Sequence, residues 1–130
     1  MSDSNKKNNL NLFSWTSCGK TDVGKARKLN EDSMLVRPDA GMWVVADGMG
    51  GHEAGDVASR MVVDSLKEVQ LGTSLEKYIN DIEDTLINVN RTLIEIASEG
   101  DKPSTVGSTV VTMLAYEKYC AFLWAGDSRL

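Results

Sequence analysis

The run Met42-Trp43-Val44-Val45-Ala46 is apolar at every position and stops abruptly at Asp47-Gly48-Met49-Gly50-Gly51-His52. An unbroken apolar run of this length, bounded by an acid and glycines, predicts a strand buried on both faces. Such a strand has to lie inside a sheet, and its end sets the Asp47 carboxylate at the sheet rim. Gly48, Gly50 and Gly51 let the backbone turn sharply and leave carbonyl oxygens uncovered by side chains. That suits a place where main-chain oxygen meets a cation or where phosphate comes close, and it also fits a plain glycine turn carrying a surface acid.

The flanking segments supply the rest of a layered fold. Ser33 to Arg37 reads as a strand, and Pro38-Asp39-Ala40-Gly41 as a turn, so that Met42 to Ala46 returns as the second arm of a hairpin. After the glycines the period changes. Val57, Ala58, Met61, Val62, Ser65, Leu66 and Val69 recur at helical spacing, which predicts an amphipathic helix from Ala54 to about Gln70, closed by Gly72. Ser74 is an N-cap candidate for a second, longer helix, although Lys77 stands where a capping box would have Glu. Leu75, Tyr78, Ile79, Ile82, Leu86, Val89, Leu93 and Ile96 mark its inner face as far as Ser98, and Gly100 stops it. Its other face carries Glu76, Asp81, Glu83, Asp84, Glu95 and Glu99 and reads as solvated. Val106 to Tyr116 and Tyr119 to Ala125 are rich in β-branched and aromatic residues, with Glu117-Lys118 between them, and predict another hairpin. Strands, two helices, strands is the order of an α+β domain whose helices lie together on one sheet face.

Composition narrows the function classes. At 130 residues, with 42% hydrophobic and 25% charged residues, the chain fits one modest globular domain or part of a larger one. A formal charge of −5 argues against a general nucleic-acid binder, although Lys6, Lys7, Lys20, Lys25, Arg27 and Lys28 make the opening segment locally basic. Cys18 and Cys120 belong to no CxxC or Cys/His cluster, so neither zinc nor a disulfide framework is indicated, and both read as small core residues of a reduced cytosolic protein. Residues 1–11 read as a frayed polar tail, and Leu12 to Cys18 as a loosely alternating strand. No stretch resembles a secretion signal or approaches the length of a membrane span.

The chemistry concentrates at three acidic margins. Besides Asp47, Asn30-Glu31-Asp32 precedes the first strand and Gly126-Asp127 leaves the end of the last. Adjacent Glu31 and Asp32 point opposite ways if extended, so that one can face a site while the other orients a neighbour or a water. Carboxylates without accompanying cysteine match hard cations, Mg²⁺ or Mn²⁺, held by carboxylate, carbonyl and water oxygen. Two such ions about 3.5–4 Å apart can share a water, lower its pKa and present it to phosphorus. Arg27 offers a planar fork for two phosphate oxygens.

Arg27-x-x-Asn30-Glu31-Asp32, Val45-Ala46-Asp47-Gly48-Met49-Gly50-Gly51-His52, Gly107-Ser108-Thr109 and Ala125-Gly126-Asp127-Ser128-Arg129, in this order and spacing, resemble the bacterial form of the metal-dependent protein phosphatases of type 2C. The likeness runs from about Thr16 to the end, so that residues 12–130 read as the amino-terminal part of such a domain. It implies a four-layer α-β-β-α sandwich, two antiparallel sheets flanked by helices, of which this chain holds only the amino-terminal half. It also implies removal of phosphate from serine or threonine of a phosphorylated protein substrate. By position, Asp47 would bridge both metals, Gly48 would lend its carbonyl and Glu31 would help hold the second ion. Asp32 would orient the attacking water, Arg27 would grip the phosphate, and Asp127 would serve a third, weaker metal site. Gly107-Ser108-Thr109 is left as packing beneath the site.

Two departures stand out. Animal members of the family have a histidine directly after the Asp-Gly, where this chain has Met49. His52 is then either a proton donor to the leaving alkoxide or a cap for the helix beginning near Ala54. The family's later aspartates lie beyond Leu130, and the chain reads as one cut in its middle. The 130-residue piece alone is expected to have little phosphatase activity and to leave strand edges unpaired. The whole protein is expected to be a cytoplasmic monomer with a Mn²⁺ or Mg²⁺ cofactor and neither nucleic-acid nor membrane partners.

Two rival readings remain at this stage. Gly19-Lys20-Thr21 resembles the end of a phosphate-binding P-loop, but Ser14 stands where that motif needs glycine and no helical period follows. A phosphatase-like module that binds a phosphoprotein without hydrolysing it is the other.

Overall fold

Chain order alone determines the sheet. The structure, a computed structural model, describes residues 32–50, 54–99 and 105–126. Strands β1 (Asp32–Arg37), β2 (Met42–Gly50), β3 (Val106–Tyr116) and β4 (Tyr119–Ala125) form one antiparallel sheet in sequential order. Helices α1 (Ala54–Lys67) and α2 (Leu75–Ser98) are inserted between β2 and β3. β3, β4 and α2 fall at the boundaries expected from their residue patterns, and the two helices share one face of the sheet.

The β1–β2 connection is a single 3₁₀ turn, Pro38–Ala40, started by a proline that presets φ and closed by Gly41 at φ +60°. Gly41 has no substitute there, because a Cβ would collide with the Ala115 carbonyl oxygen. Its own carbonyl accepts the Ala115 amide at 2.8 Å, tying the turn to β3.

On the helix-covered face, Leu35 of β1, Met42, Val44 and Ala46 of β2, and Val110 and Leu114 of β3 pack with Ala58, Val62, Val63 and Leu66 of α1 and with Tyr78, Ile82, Val89 and Leu93 of α2. Complete burial of a side chain such as Leu66 or Ile82 contributes about 1.5–3 kcal/mol. Three polar ties fix the layers. Arg37 donates to the carbonyls of Val69 (2.7 Å) and Leu66 (3.4 Å) where the chain leaves α1. Ser33 and Ser59 join their hydroxyls at 3.0 Å between β1 and α1. The buried Tyr78 hydroxyl donates to the Ala40 carbonyl at 2.8 Å. Ser74 caps α2 as expected, accepting the Lys77 amide at 3.1 Å.

Four expectations are corrected. β2 does not turn at Asp47 but runs on through Gly50, because residues 47–50 pair with residues 106–109 of β3 and the ladder satisfies their backbone. Nor is β2 buried on both faces: Met42, Val44 and Ala46 are buried, whereas Val45 is 48% exposed. Among the described residues both helices lie on one side, so the apolar character of the other face is not consumed by packing. α1 ends at Lys67 and is rotated from its expected phase, with Ser59 and Val63 inside and Val57 outside. Cys120 is exposed rather than in the core. The expected tail, residues 1–11, and the Leu12 to Cys18 strand lie outside the described residues, as does Cys18.

Burial pushes the Tyr78 phenol up from its ordinary 10.0 to about 12, against a smaller opposing pull from Arg37. The unfolded chain then gives up this proton first, so the stability it contributes is intact below pH 10 and declines from there towards about pH 12. Tyr78→Phe is expected to cost about 1–3 kcal/mol at neutral pH by stranding the Ala40 acceptor, and to flatten the alkaline decline. Urea unfolding of the wild type and the variant at pH 7, 10 and 11 checks both.

Candidate functional site

Side chains alternate across a strand, so the face turned away from the helices can be read in rows from the pairing register. One row runs Phe122, Met113, Trp43, Val36; the next runs Trp124, Val111, Val45, Met34. The third brings together Thr109, Asp47 and Asp32. Two apolar rows thus give way to a polar one at the end of the sheet where β1 begins and β4 finishes.

Asp32 stands directly opposite Asp47 in the β1–β2 register. Like charges facing each other across a strand pair destabilise it unless positive charge or hydrogen-bond donors meet them. One oxygen of Asp32 is shielded from solvent. Gly48 follows within β2, buried and paired with Ser108. Met49 projects 55% exposed on the same face as Asp47. The hydroxyl of Thr109 lies 3.3 Å from the Asp47 amide nitrogen and 3.4 Å from its carbonyl oxygen.

The described residues therefore bring Asp32, Asp47 and Gly48 to one end of one sheet. Arg27, Glu31, His52 and Asp127, the other residues singled out from the sequence, lie outside the described residues. Glu31 adjoins Asp32 in the chain, and Asp127 adjoins Gly126, the residue after β4. Among the described residues no group of three or more His, Cys, Asp or Glu side chains forms a metal cage. What sequence reasoning missed is Thr109. Its motif, Gly107-Ser108-Thr109, stood out, but only the register shows that the threonine meets Asp47.

The chain matches the protein phosphatase 2C family over residues 23–130. Among curated relatives, it is 33% identical over 117 residues to the serine/threonine phosphatase stp of Listeria monocytogenes, covering 85% of this chain and 46% of that protein. Against the protein phosphatase PhpP of Streptococcus pneumoniae it is 28% identical, covering 85% of this chain and 47% of that one. Among solved structures, PppA, described as a key regulatory component of T6SS in Pseudomonas aeruginosa, superposes with a TM-score of 0.78 at 44% identity, over 83% of this chain and 46% of that one. The catalytic domain of the serine threonine protein phosphatase PstP, in complex with two manganese ions, gives 0.73 at 27% identity, over 85% of this chain and 47% of that one. The chain spans about half the length of the relatives it matches.

The opposed acids make a testable demand. In the metal-free full-length protein Asp47→Asn keeps the shape of the side chain and is expected to leave stability within about 1 kcal/mol of the wild type. Added Mn²⁺ is expected to raise the melting temperature of the wild type and to leave that of the variant almost unmoved. Melting curves in chelator and in excess Mn²⁺ check the two together.

Proposed function

Because this chain belongs to the protein phosphatase 2C family, we propose that it is the amino-terminal part of a metal-dependent phosphatase that removes phosphate from serine or threonine side chains of proteins. The observation that carries the reading is the opposition of Asp32 and Asp47 on one sheet face. Two acids facing each other across a strand pair, one with an oxygen shielded from water, supply oxygen-only donors suited to a hard divalent cation. In this reading Mn²⁺ or Mg²⁺ serves as cofactor, two ions with a third bound more weakly. Such ions, when bound, neutralise phosphate charge and acidify a water for attack on phosphorus.

The chain's own residues then divide the work. Asp47, the Gly48 carbonyl and Glu31 would hold the two principal ions, and Asp127 the weaker one. Asp32, opposite Asp47, orients the attacking water by accepting its hydrogen. Arg27 binds two phosphate oxygens through its planar guanidinium, which fixes the phosphoryl group for in-line attack. His52 either donates a proton to the departing serine or threonine oxygen or caps α1.

The open sheet face supports the finer fold assignment. Trp124 (61% exposed), Phe122 (50%) and Val45 (48%) form part of a contiguous apolar surface of the kind that marks a packing site. A second antiparallel sheet with its own helices, supplied by the remainder of the domain, would cover it and complete a four-layer α-β-β-α sandwich. Residues 12–130 then form the amino-terminal part of that domain, with residues 1–11 as a tail. Among the described residues no helix is long and apolar enough to cross a membrane. The reading takes the whole protein as a cytoplasmic monomer acting on phosphoproteins, without nucleic-acid or membrane partners.

The full-length protein is expected to release phosphate from a phosphothreonine peptide when supplied with Mn²⁺, to stop on chelation, and to lose about 100-fold or more in kcat/KM on Asp47→Asn, since each such ion contributes several kcal/mol. Release of phosphate measured with the wild type and this variant checks it. Mn²⁺ binding without turnover would point instead to a phosphoprotein-binding module.

A further inference from the structure

We propose that Thr109 is a positioning residue for Asp47, a role that rests on the phosphatase reading above. Its two branches touch different parts of the site. The hydroxyl accepts the Asp47 amide hydrogen at 3.3 Å and donates to the Asp47 carbonyl at 3.4 Å, so a single oxygen braces the peptide groups on either side of the Asp47 Cα. Both bonds are long and each alone is weak. Acting on both sides of one Cα, they restrain the direction in which the carboxylate leaves the strand.

The methyl branch faces the other way. Gly126 has φ +89°, and a Cβ built on it would come within 2.7 Å of the Thr109 Cγ2. The left-handed backbone and the methyl group together confine position 126 to glycine, and Gly126 sets the exit direction of the chain immediately before Asp127. Thr109 thus braces the Asp47 backbone with its hydroxyl and closes the space beside Gly126 with its methyl group. Nothing in a bare packing role calls for the hydroxyl: the cross-strand position and the methyl contact would be served equally by valine, a β-branched residue of the same shape. The hydroxyl is therefore the part with a function, and groups that orient metal ligands in this way typically govern affinity by a factor of about 10–100.

The test uses the metal-free full-length protein, Mn²⁺ alone as probe, calorimetric titration, and thermal unfolding in chelator. Thr109→Val keeps the shape and removes the hydroxyl, whereas Thr109→Ser keeps the hydroxyl and removes the methyl. Thr109→Val is expected to unfold within a few degrees of the wild type and to bind Mn²⁺ about tenfold more weakly, with Thr109→Ser binding within about twofold of the wild type, the spread expected of a side chain whose ligand-orienting group is intact. Should Thr109→Val not fold, Thr109→Ala against Thr109→Ser gives the same contrast. Mn²⁺ affinity unchanged in the hydroxyl-free variant, or lost equally in the serine variant, overturns the role of Thr109 and leaves the phosphatase reading standing. A wild type that binds no Mn²⁺ overturns both.

Discussion

The register of β1 against β2 is the constraint on which the rest depends. Side chains alternate across a strand, so a slip of one residue would carry Asp32 from the open face to the face covered by the helices and bury Met34 and Val36 in place of Leu35. The short connection Pro38–Gly41 prevents the slip: proline sets its start, Gly41 at φ +60° sets its end, and the contact of Gly41 with Ala115 locks it against β3. Arg37, at the end of β1, is held by the carbonyls at the end of α1 and adds a second lock from the helix layer. A site at one end of the sheet is therefore aligned from the other.

The two faces of the sheet divide the labour. One packs with both helices through a continuous apolar cluster that includes the wholly buried Tyr78, Leu66 and Leu114. The other keeps a surface rich in tryptophan, phenylalanine and valine beside the acids. A low-dielectric surface next to carboxylates strengthens every charge interaction there once it is covered, so the layer proposed to lie over Trp124 and Val45 would bear on the chemistry as well as on stability.

Much of this was legible in the residues. The capping serine and regular apolar spacing of α2 gave both of its ends, and the Glu117-Lys118 break gave both ends of the β3–β4 hairpin, because local signals dominate in those segments. The Asp47 to Gly50 segment misled for a physical reason. Glycines after an acid suggest a turn, but pairing with residues 106–109 keeps the chain extended, and that partner is more than fifty residues away in sequence. The unbroken apolar run of β2 correctly indicated an apolar environment without revealing that the described helices cover only one side. α1 is rotated because Ser59, polar by type, finds Ser33 and turns inward. At the site, residue types suggest oxygen-donor chemistry, and only the register shows the meeting of Asp32 with Asp47. No local pattern could have supplied the contact with Thr109. Arg27, Glu31, His52 and Asp127 rest on motif and chain position, since they lie outside the described residues.

The most direct measurement is an anomalous-scattering map, recorded at the manganese edge, from crystals of the full-length protein grown with Mn²⁺. The account requires a peak at coordination distance, about 2.0–2.2 Å, from a carboxylate oxygen of Asp47, on the sheet face that Asp47 shares with Asp32 and Thr109. Manganese bound elsewhere, with Asp47 coordinating nothing, would contradict it.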